Sequence, residues 1–159
     1  MQVAMICLGN ICRSPMAAAV AGAMVEQAGM SGLVVVESFG TAGYHVGEGA
    51  DPRADAALRR RGWPVGGHRA RHLRPADVAA ADLLLCADRA NLTQVRRAAG
   101  TGTDAAKVRL LRSYDPGSSP ADDEVPDPWG GDDAEFDLTL IMIERACRGL
   151  VGHLAAAPR

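Results

Sequence analysis

The chain has 159 residues, 48% of them hydrophobic, and a formal net charge of −2 at pH 7. These values are typical of one globular domain, so we expect residues 1–159 to form a single domain that folds without disulfides. A nucleic-acid-binding protein is disfavoured, because the arginines between positions 53 and 74 are offset by acidic residues between positions 115 and 137.

The four cysteines lie at positions 7, 12, 86 and 147, and no two of them have C-x2-C spacing. This pattern predicts neither a disulfide framework nor a structural zinc site, so we expect no bound metal. The N-terminal apolar run breaks at Gly9-Asn10, which makes it too short for a signal peptide or a membrane span. We therefore expect a cytoplasmic protein with no membrane contact, and secretion without a signal peptide is the open alternative.

Short apolar runs alternate with longer helical patterns along the chain. Strands are predicted at residues 2–7, 33–39, 81–86 and 107–111, and helices at residues 15–29, 52–61, 88–99 and about 132–154. Ser14 is the expected N-cap of the first helix, with Pro15 in its first turn. The alternation predicts an α/β fold, in which helices cover both faces of a parallel sheet and ligands bind at the carboxyl ends of the strands. The long loop at residues 113–131 is of a kind that is often functional.

The segment CLGNICRSP, residues 7–15, joins the first strand to the first helix. Its loop is short enough to curl backbone N–H groups towards one point, where they bind an anion together with the helix N-terminus. Arg13 adds a planar fork for two phosphate oxygens, and Ser14 can donate a hydrogen bond to the sulfur of Cys7. A thiolate in this cradle is a nucleophile for phosphoryl transfer. A cysteine that only packs, a redox pair and a metal clip are the alternatives, whereas a Walker phosphate loop is excluded by the lack of G-x4-G-K-[ST].

CLGNICRSP strongly resembles the active-site loop of the low-molecular-weight protein tyrosine phosphatases. The resemblance continues in family order through TAGYHVGEGADPRADAALRRRG, GHRAR, DRANL, LRSYDP and VPDPWGGDDAEF, so it covers nearly the whole chain. It implies a single-domain, flavodoxin-like fold with a four-stranded parallel sheet flanked by helices on both faces. It also implies hydrolysis of phosphotyrosine and small aryl phosphates through a phosphocysteine intermediate, with no cofactor and no metal. Phosphotyrosine-containing proteins are then the expected partners, phosphate and other tetrahedral oxyanions the expected inhibitors, and a monomer the expected state.

The resemblance also assigns roles to single residues. Cys7 is the nucleophile, and Asp127 is the general acid and then the base. From its local sequence alone, Asp127 between two prolines reads as a turn residue before a helix. The phosphate is bound by Arg13 and by the rest of the loop, which comprises Leu8, Gly9, Asn10, Ile11, Cys12 and Ser14. Tyr44 and Trp129 match the aromatic residues that flank the mouth of the pocket.

Asn10, Ser38 and His68 match the hydrogen-bond network that supports the loop in this family. Cys12 is a candidate for a reversible disulfide with Cys7, and a packing role for Cys12 is the alternative of equal weight.

Two other functions are considered for this sequence. An arsenate reductase of the same fold has a similar loop but passes a disulfide to further cysteines. Cys86 could be one of them, but no second partner is apparent nearby. A catalytically silent phosphate-binding module needs no general acid. Asp127 therefore argues against both alternatives.

Overall fold

The computed structural model describes residues 1–100 and 103–157 and has a four-stranded sheet at its centre. The strands are β1 (Gln2–Cys7), β2 (Val35–Gly40), β3 (Leu83–Cys86) and β4 (Val108–Leu110). They lie in the order β2-β1-β3-β4, and each neighbouring pair is parallel. The predicted α/β fold with a four-stranded parallel sheet is therefore confirmed.

Helices cover both faces of this sheet. In chain order they are α1 (Arg13–Gln27), α2 (Pro52–Arg60), α3 (Pro75–Ala80), α4 (Arg89–Ala99), α5 (Thr103–Ala106) and α6 (Asp133–Ala156), with a 3-10 helix at Leu111–Tyr114. Successive side chains of β1 point to opposite faces, so they enter two separate cores. Val3 and Met5 pack with α1 and α6, whereas Ala4 and Ile6 pack with side chains of α3 and α4. None of the helices in the described ranges is long and apolar enough to cross a membrane.

The predicted N-cap at Ser14 is wrong. Helix α1 begins at Arg13, and Cys12 occupies the N-cap position without a side-chain capping bond. Ser14 lies inside the first turn, where its hydroxyl contacts the Cys7 sulfur and accepts a hydrogen bond from the Asn10 side chain. The local Ser-Pro pattern indicates a cap, but the partners of the Ser14 hydroxyl are Cys7, Asn10 and the Phe39 carbonyl and not the N–H groups of the helix.

The other differences from the predicted elements are small. Strand β2 begins at Val35 because the N–H groups of Leu33 and Val34 donate to the carbonyl of Met30 and close a turn. Helices α3 and α5 were not predicted, since each is too short to show a helical repeat of apolar residues. Asp51 caps α2 as expected, with its carboxylate accepting from the first turn.

The fold places the loop between β1 and α1 at a switch in strand order. Strand β2 pairs with one edge of β1, and β3 pairs with the opposite edge of β1. Parallel α/β sheets bind ligands at such a point, beyond the carboxyl ends of the strands. Gly40 at the end of β2 makes room for the loop, because a Cβ there would lie 2.7 Å from the Leu8 carbonyl oxygen.

Candidate active site

The loop between β1 and α1 is organised around Asn10. This residue is fully buried and has a φ of 59°, a left-handed conformation that asparagine tolerates better than most residues. Its side-chain amide donates to the hydroxyls of Ser14 and Ser38, at 2.8 and 3.0 Å, and its Oδ1 accepts from the backbone N–H of Arg71 at 2.8 Å. Asn10 therefore ties the loop to α1, to β2 and to the segment that follows His68.

His68 supports the same residue from the other side. Its Nε2 lies 2.6 Å from the Asn10 carbonyl oxygen, and burial lowers the pKa of the imidazole. A neutral imidazole that faces a carbonyl oxygen through Nε2 must carry its proton there, so His68 donates this hydrogen bond. The three residues of the expected network, Asn10, Ser38 and His68, are thus brought together. Ser38 and His68 stand behind the loop and contact Asn10 directly.

A serine hydroxyl contacts the sulfur of Cys7. The distance from Cys7 Sγ to Ser14 Oγ is 3.0 Å, and both residues are buried. Because the Asn10 amide already donates to Ser14 Oγ, the serine oxygen acts there as an acceptor and its own proton can point to the sulfur. A hydroxyl donor on the sulfur stabilises the negative charge of a thiolate.

The middle of the loop supplies unpaired hydrogen-bond donors. The backbone N–H groups of Gly9, Asn10, Ile11 and Cys12 have no acceptor within residues 1–100 and 103–157. Successive unpaired donors next to a helix N-terminus suit a tetrahedral anion, and three of these residues, Gly9, Ile11 and Cys12, line the same cleft.

Arg13 lies at the end of this cradle and is almost completely buried. Its Nη1 donates to Asp88 Oδ2 at 2.7 Å and to the carbonyl of Val125 at 3.1 Å. Its Nη2 lies 3.6 Å from Asp127 Oδ2. Since Nη1 takes both short contacts, Asp88 and Val125 fix the guanidinium plane and leave its Nε and Nη2 edge for two oxygens of an anion.

Asp127 faces Arg13 from the loop that precedes α6. Its Oδ1 accepts from the backbone N–H of Trp129 at 3.2 Å, and 47% of its side chain is exposed. The carboxylate is therefore oriented through one oxygen, while the other oxygen lies 3.6 Å from Arg13 Nη2. A carboxyl group in this place can exchange protons with both a bound ligand and water.

These groups surround a cleft of about 210 Å³. The loop forms one wall, and Tyr44, His45, Asp127 and Trp129 complete the lining. Tyr44 and Trp129 are 76% and 58% exposed, so two aromatic rings stand at the rim of a largely apolar opening. The cleft can therefore hold an anion at the cradle and a flat apolar group between the rings.

The model of the family described as low molecular weight phosphotyrosine protein phosphatase matches residues 2–158. This chain belongs to that family. It is 48% identical over 150 residues to the low molecular weight protein-tyrosine-phosphatase of Streptomyces coelicolor, a match that covers 94% of this chain and 91% of that protein. The predicted family, and with it the enzyme class of protein tyrosine phosphatases, is confirmed.

Solved structures of similar proteins have the same fold. A protein tyrosine phosphatase from Entamoeba histolytica with Hepes in its active site has a TM-score of 0.90 at 28% identity, over 97% of this chain and 96% of that one. A mutant of the arginine phosphatase YwlE with a phosphorylated active-site serine has a TM-score of 0.86 at 29% identity, over 100% and 99% of the two chains.

The second cysteine of the phosphatase loop also lines the cleft. Cys12 is buried and is a free thiol. Burial, followed by the nearby charges of Asp51 and Cys7, raises the pKa of this thiol to about 12. Cys12 is therefore protonated at neutral pH and does not compete with Cys7 as a nucleophile.

Three residues of the phosphatase site were not singled out from the sequence. His45 lines the cleft and pairs with Glu48, with 2.7 Å between Nδ1 and Oε2. Asp88 holds Arg13, and its sequence signals are its place two residues after a buried strand and at the start of the helix predicted at residues 88–99. Arg71 holds Asn10 through its backbone, so no side-chain pattern could have identified it.

Proposed function

We propose that this phosphatase hydrolyses phosphotyrosine through a phosphocysteine formed on Cys7, with Arg13 as the phosphate-binding cation and Asp127 as acid and then base. The proposal rests on one observation, which is that all three side chains line the same cleft, at the end of a loop whose N–H groups are free to bind an anion. A nucleophile, an anion cradle and a proton donor around one cavity are the groups that in-line phosphoryl transfer requires.

In the first step, the Cys7 thiolate attacks phosphorus. A P–S bond forms as the P–O bond to the phenol breaks, while the loop N–H groups and the Nε and Nη2 edge of Arg13 stabilise the charge on the other oxygens. Asp127 begins this step protonated and gives its proton to the departing phenol oxygen. Tyrosine therefore leaves as a neutral phenol, and Asp127 becomes a carboxylate.

In the second step, water attacks the phosphocysteine. Asp127 takes one proton from this water, the new P–O bond forms, and the P–S bond breaks to release phosphate. The Ser14 hydroxyl donates to the sulfur as negative charge returns to it, at the 3.0 Å contact already present. The cycle ends with a Cys7 thiolate and a protonated Asp127, as it began.

The lining of the cleft supports an aromatic substrate over phosphoarginine. Leu8, Ile11, Tyr44 and Trp129 offer apolar and aromatic surface to the group that carries the phosphate. A phenyl ring buries its whole apolar surface against these side chains and stacks on the two aromatic rings, whereas a guanidinium can stack there but buries less apolar surface.

The positions of the other cysteines argue against arsenate reduction. Cys86 and Cys147 are both fully buried, burial raises the pKa of each thiol to about 12, and neither lines the cleft. A relay of disulfides needs accessible thiols beyond the nucleophile and Cys12. Within the described residues, the cleft offers none.

The neighbouring thiols support a protective disulfide. A peroxide converts the Cys7 thiolate to a sulfenic acid. The Cys12 sulfur then attacks the Cys7 sulfur as the Cys12 thiol proton passes to the departing hydroxyl, so the S–S bond forms and water is released. Both sulfurs belong to the lining of one cleft, and both are free thiols in this structure. The bond is reversible by an added thiol, so it shields Cys7 from further oxidation.

We propose that the phosphatase acts as a monomer in the cytoplasm on phosphotyrosine segments of other proteins. The four free cysteines support a reducing compartment. The cradle of N–H groups supports inhibition by phosphate and other tetrahedral oxyanions, since these present the same oxygens as the substrate.

The test is hydrolysis of p-nitrophenyl phosphate and of matched phosphotyrosine, phosphoserine and phosphoarginine peptides in the presence of EDTA. We expect chelator-resistant activity that favours phosphotyrosine, is lost in Cys7→Ser, and falls about 10²-fold or more in Asp127→Ala. Asp133→Ala is the matched control, because its carboxylate is exposed and pairs only weakly with Arg60. Retention of activity in Cys7→Ser, or an inactive folded wild type, would contradict the proposal.

A further inference from the structure

One arginine outside the cleft connects the two loops that form the site. Arg53 lies in the first turn of α2. Its Nε and Nη2 donate to Asp51 Oδ1 and Oδ2, at 3.0 and 2.8 Å, which is the paired geometry of a guanidinium on a carboxylate. The backbone N–H of Asp51 donates in turn to the Ile11 carbonyl at 2.8 Å. The pair of Asp51 and Arg53 is therefore anchored on the phosphate loop.

The remaining donors of Arg53 reach the loop that carries Asp127. Nη1 donates to the Gly131 carbonyl and Nη2 to the Trp129 carbonyl, each at 2.9 Å. The guanidinium carbon also lies 4.7 Å from the ring centre of Phe136, in the first turn of α6. These contacts hold the turn after Asp127 against α2, and a hydrogen bond from the Gly131 N–H to the Pro128 carbonyl closes the same turn.

The turn that Arg53 holds through the carbonyls of Trp129 and Gly131 also orients the Asp127 carboxylate. The backbone N–H of Trp129 is the donor that orients Asp127 Oδ1. Arg53 holds the carbonyl of the same residue, Trp129. Without this bond Trp129 could shift, and its N–H would no longer hold the Asp127 carboxylate in place. Asp127 is otherwise half exposed, and its other contact is the 3.6 Å approach to Arg13.

We propose that Arg53 is a positioning residue for Asp127, which it holds at the distance and angle needed for proton transfer in the cleft. Arg53 does not line the cleft, and its Nε, Nη1 and Nη2 all have protein partners, so it does not serve as a phosphate ligand. The inference rests on the proposed role of Asp127 as general acid.

Two substrates with different leaving groups can distinguish a variant that misplaces the general acid from one that disturbs the whole site. Phenyl phosphate releases a basic phenolate and depends strongly on a proton donor, whereas 2,4-dinitrophenyl phosphate releases a stable anion and depends on it little. The value of kcat/KM reports the first chemical step for both. A variant that only disturbs the phosphate loop lowers kcat/KM for both substrates to the same extent.

The decisive experiment compares Arg53→Met with the wild type, alone and in the Asp127→Asn background. Methionine keeps an apolar stem against Phe136 but removes every donor. We expect Arg53→Met to lower kcat/KM for phenyl phosphate about tenfold to hundredfold, because small displacements of a catalytic group cost this much. Arg53→Met should lower kcat/KM for 2,4-dinitrophenyl phosphate by less than about threefold. In the Asp127→Asn background, it should lower kcat/KM for phenyl phosphate by less than about a further twofold.

Arg60→Met is the matched control on the same helix. Arg60 also pairs with acidic residues of α6, Asp137 and more weakly Asp133, but contacts neither loop of the site. Arg60→Met should leave kcat/KM unchanged for both substrates. If Arg53→Met does not fold, Arg53→Lys replaces it, since one ammonium can keep the charge beside Asp51 but cannot also reach both carbonyls. The same dependence on the leaving group is expected, with a smaller loss.

The outcomes distinguish this inference from the proposed mechanism. Equal losses on the two substrates, a loss that persists in the Asp127→Asn background, or no loss beyond that of Arg60→Met would each overturn the role of Arg53. If Asp127→Asn itself shows no dependence on the leaving group, the role of Asp127 as general acid fails instead.

Discussion

Replacement of Asn10 tests whether one buried amide holds the phosphate-binding loop in its shape. Asn10→Gly removes the hydrogen bonds to Ser14, Ser38 and the Arg71 N–H, but glycine still adopts the φ of 59°. At about 1 kcal/mol for each buried hydrogen bond, the free energy of unfolding should fall by about 3 kcal/mol. Asn10→Ala loses the same bonds and adds left-handed strain, so it should cost about 1 kcal/mol more than glycine.

Urea unfolding of the wild type and both Asn10 variants measures these differences, and kcat/KM for an aryl phosphate measures the effect on the site. We expect both variants to lose about 10²-fold in kcat/KM, because the N–H groups of the loop no longer point to one centre. A loss of less than about 1 kcal/mol in Asn10→Gly would show that the buried amide does not hold the loop. Greater stability of alanine over glycine would contradict the assigned backbone conformation.

Three further outcomes follow from the buried charges and thiols. Asp88→Asn should lower kcat/KM about tenfold to hundredfold and lower the free energy of unfolding in urea by about 2 kcal/mol, because the buried Arg13 loses its charged partner although asparagine still caps α4. Burial alone would raise the pKa of Glu144, but hydrogen bonds that include one from Arg61 lower this pKa below 4.5. In urea unfolding, the wild type should therefore keep its full stability advantage over Glu144→Gln above pH 4.5, and this difference in the free energy of unfolding should shrink as the pH falls further. Iodoacetamide at pH 7 should leave Cys12 unmodified in the folded, reduced protein, as read by peptide mass spectrometry, because burial raises its pKa to about 12.

The sequence alone predicted most of the fold because its signals are local. Apolar runs at residues 2–7 and 81–86 match β1 and β3, and Asp51 followed by proline marks the start of α2. Helix α3 has six residues, fewer than two turns, so no repeat of apolar positions could show it. Ser14 misled the prediction because its partners come from the tertiary structure, whereas a cap is inferred from the chain next to it.

The site was predictable only where its residues share a motif or a family resemblance. Cys7 and Arg13 belong to one short segment, whose spacing carries its own chemistry. The positioning groups belong to no such segment, since Arg13 meets Asp88 across 75 positions and Arg53 meets Gly131 across 78. The packing of the sheet and helices decides which aspartate or carbonyl an arginine contacts over such a separation.

The central claim is the covalent intermediate on Cys7, and the most direct test is to trap it. Asp127→Ala lacks the base for the second step, whereas 2,4-dinitrophenyl phosphate depends little on an acid in the first step. A rapid quench after mixing this variant with 2,4-dinitrophenyl phosphate should therefore preserve the phosphoenzyme. We predict that peptide mass spectrometry will find one added phosphoryl group on the peptide that contains Cys7, and none after the same treatment of Cys7→Ala. Phosphate on any other residue, or turnover by the wild type with no covalent species at any time, would contradict the account.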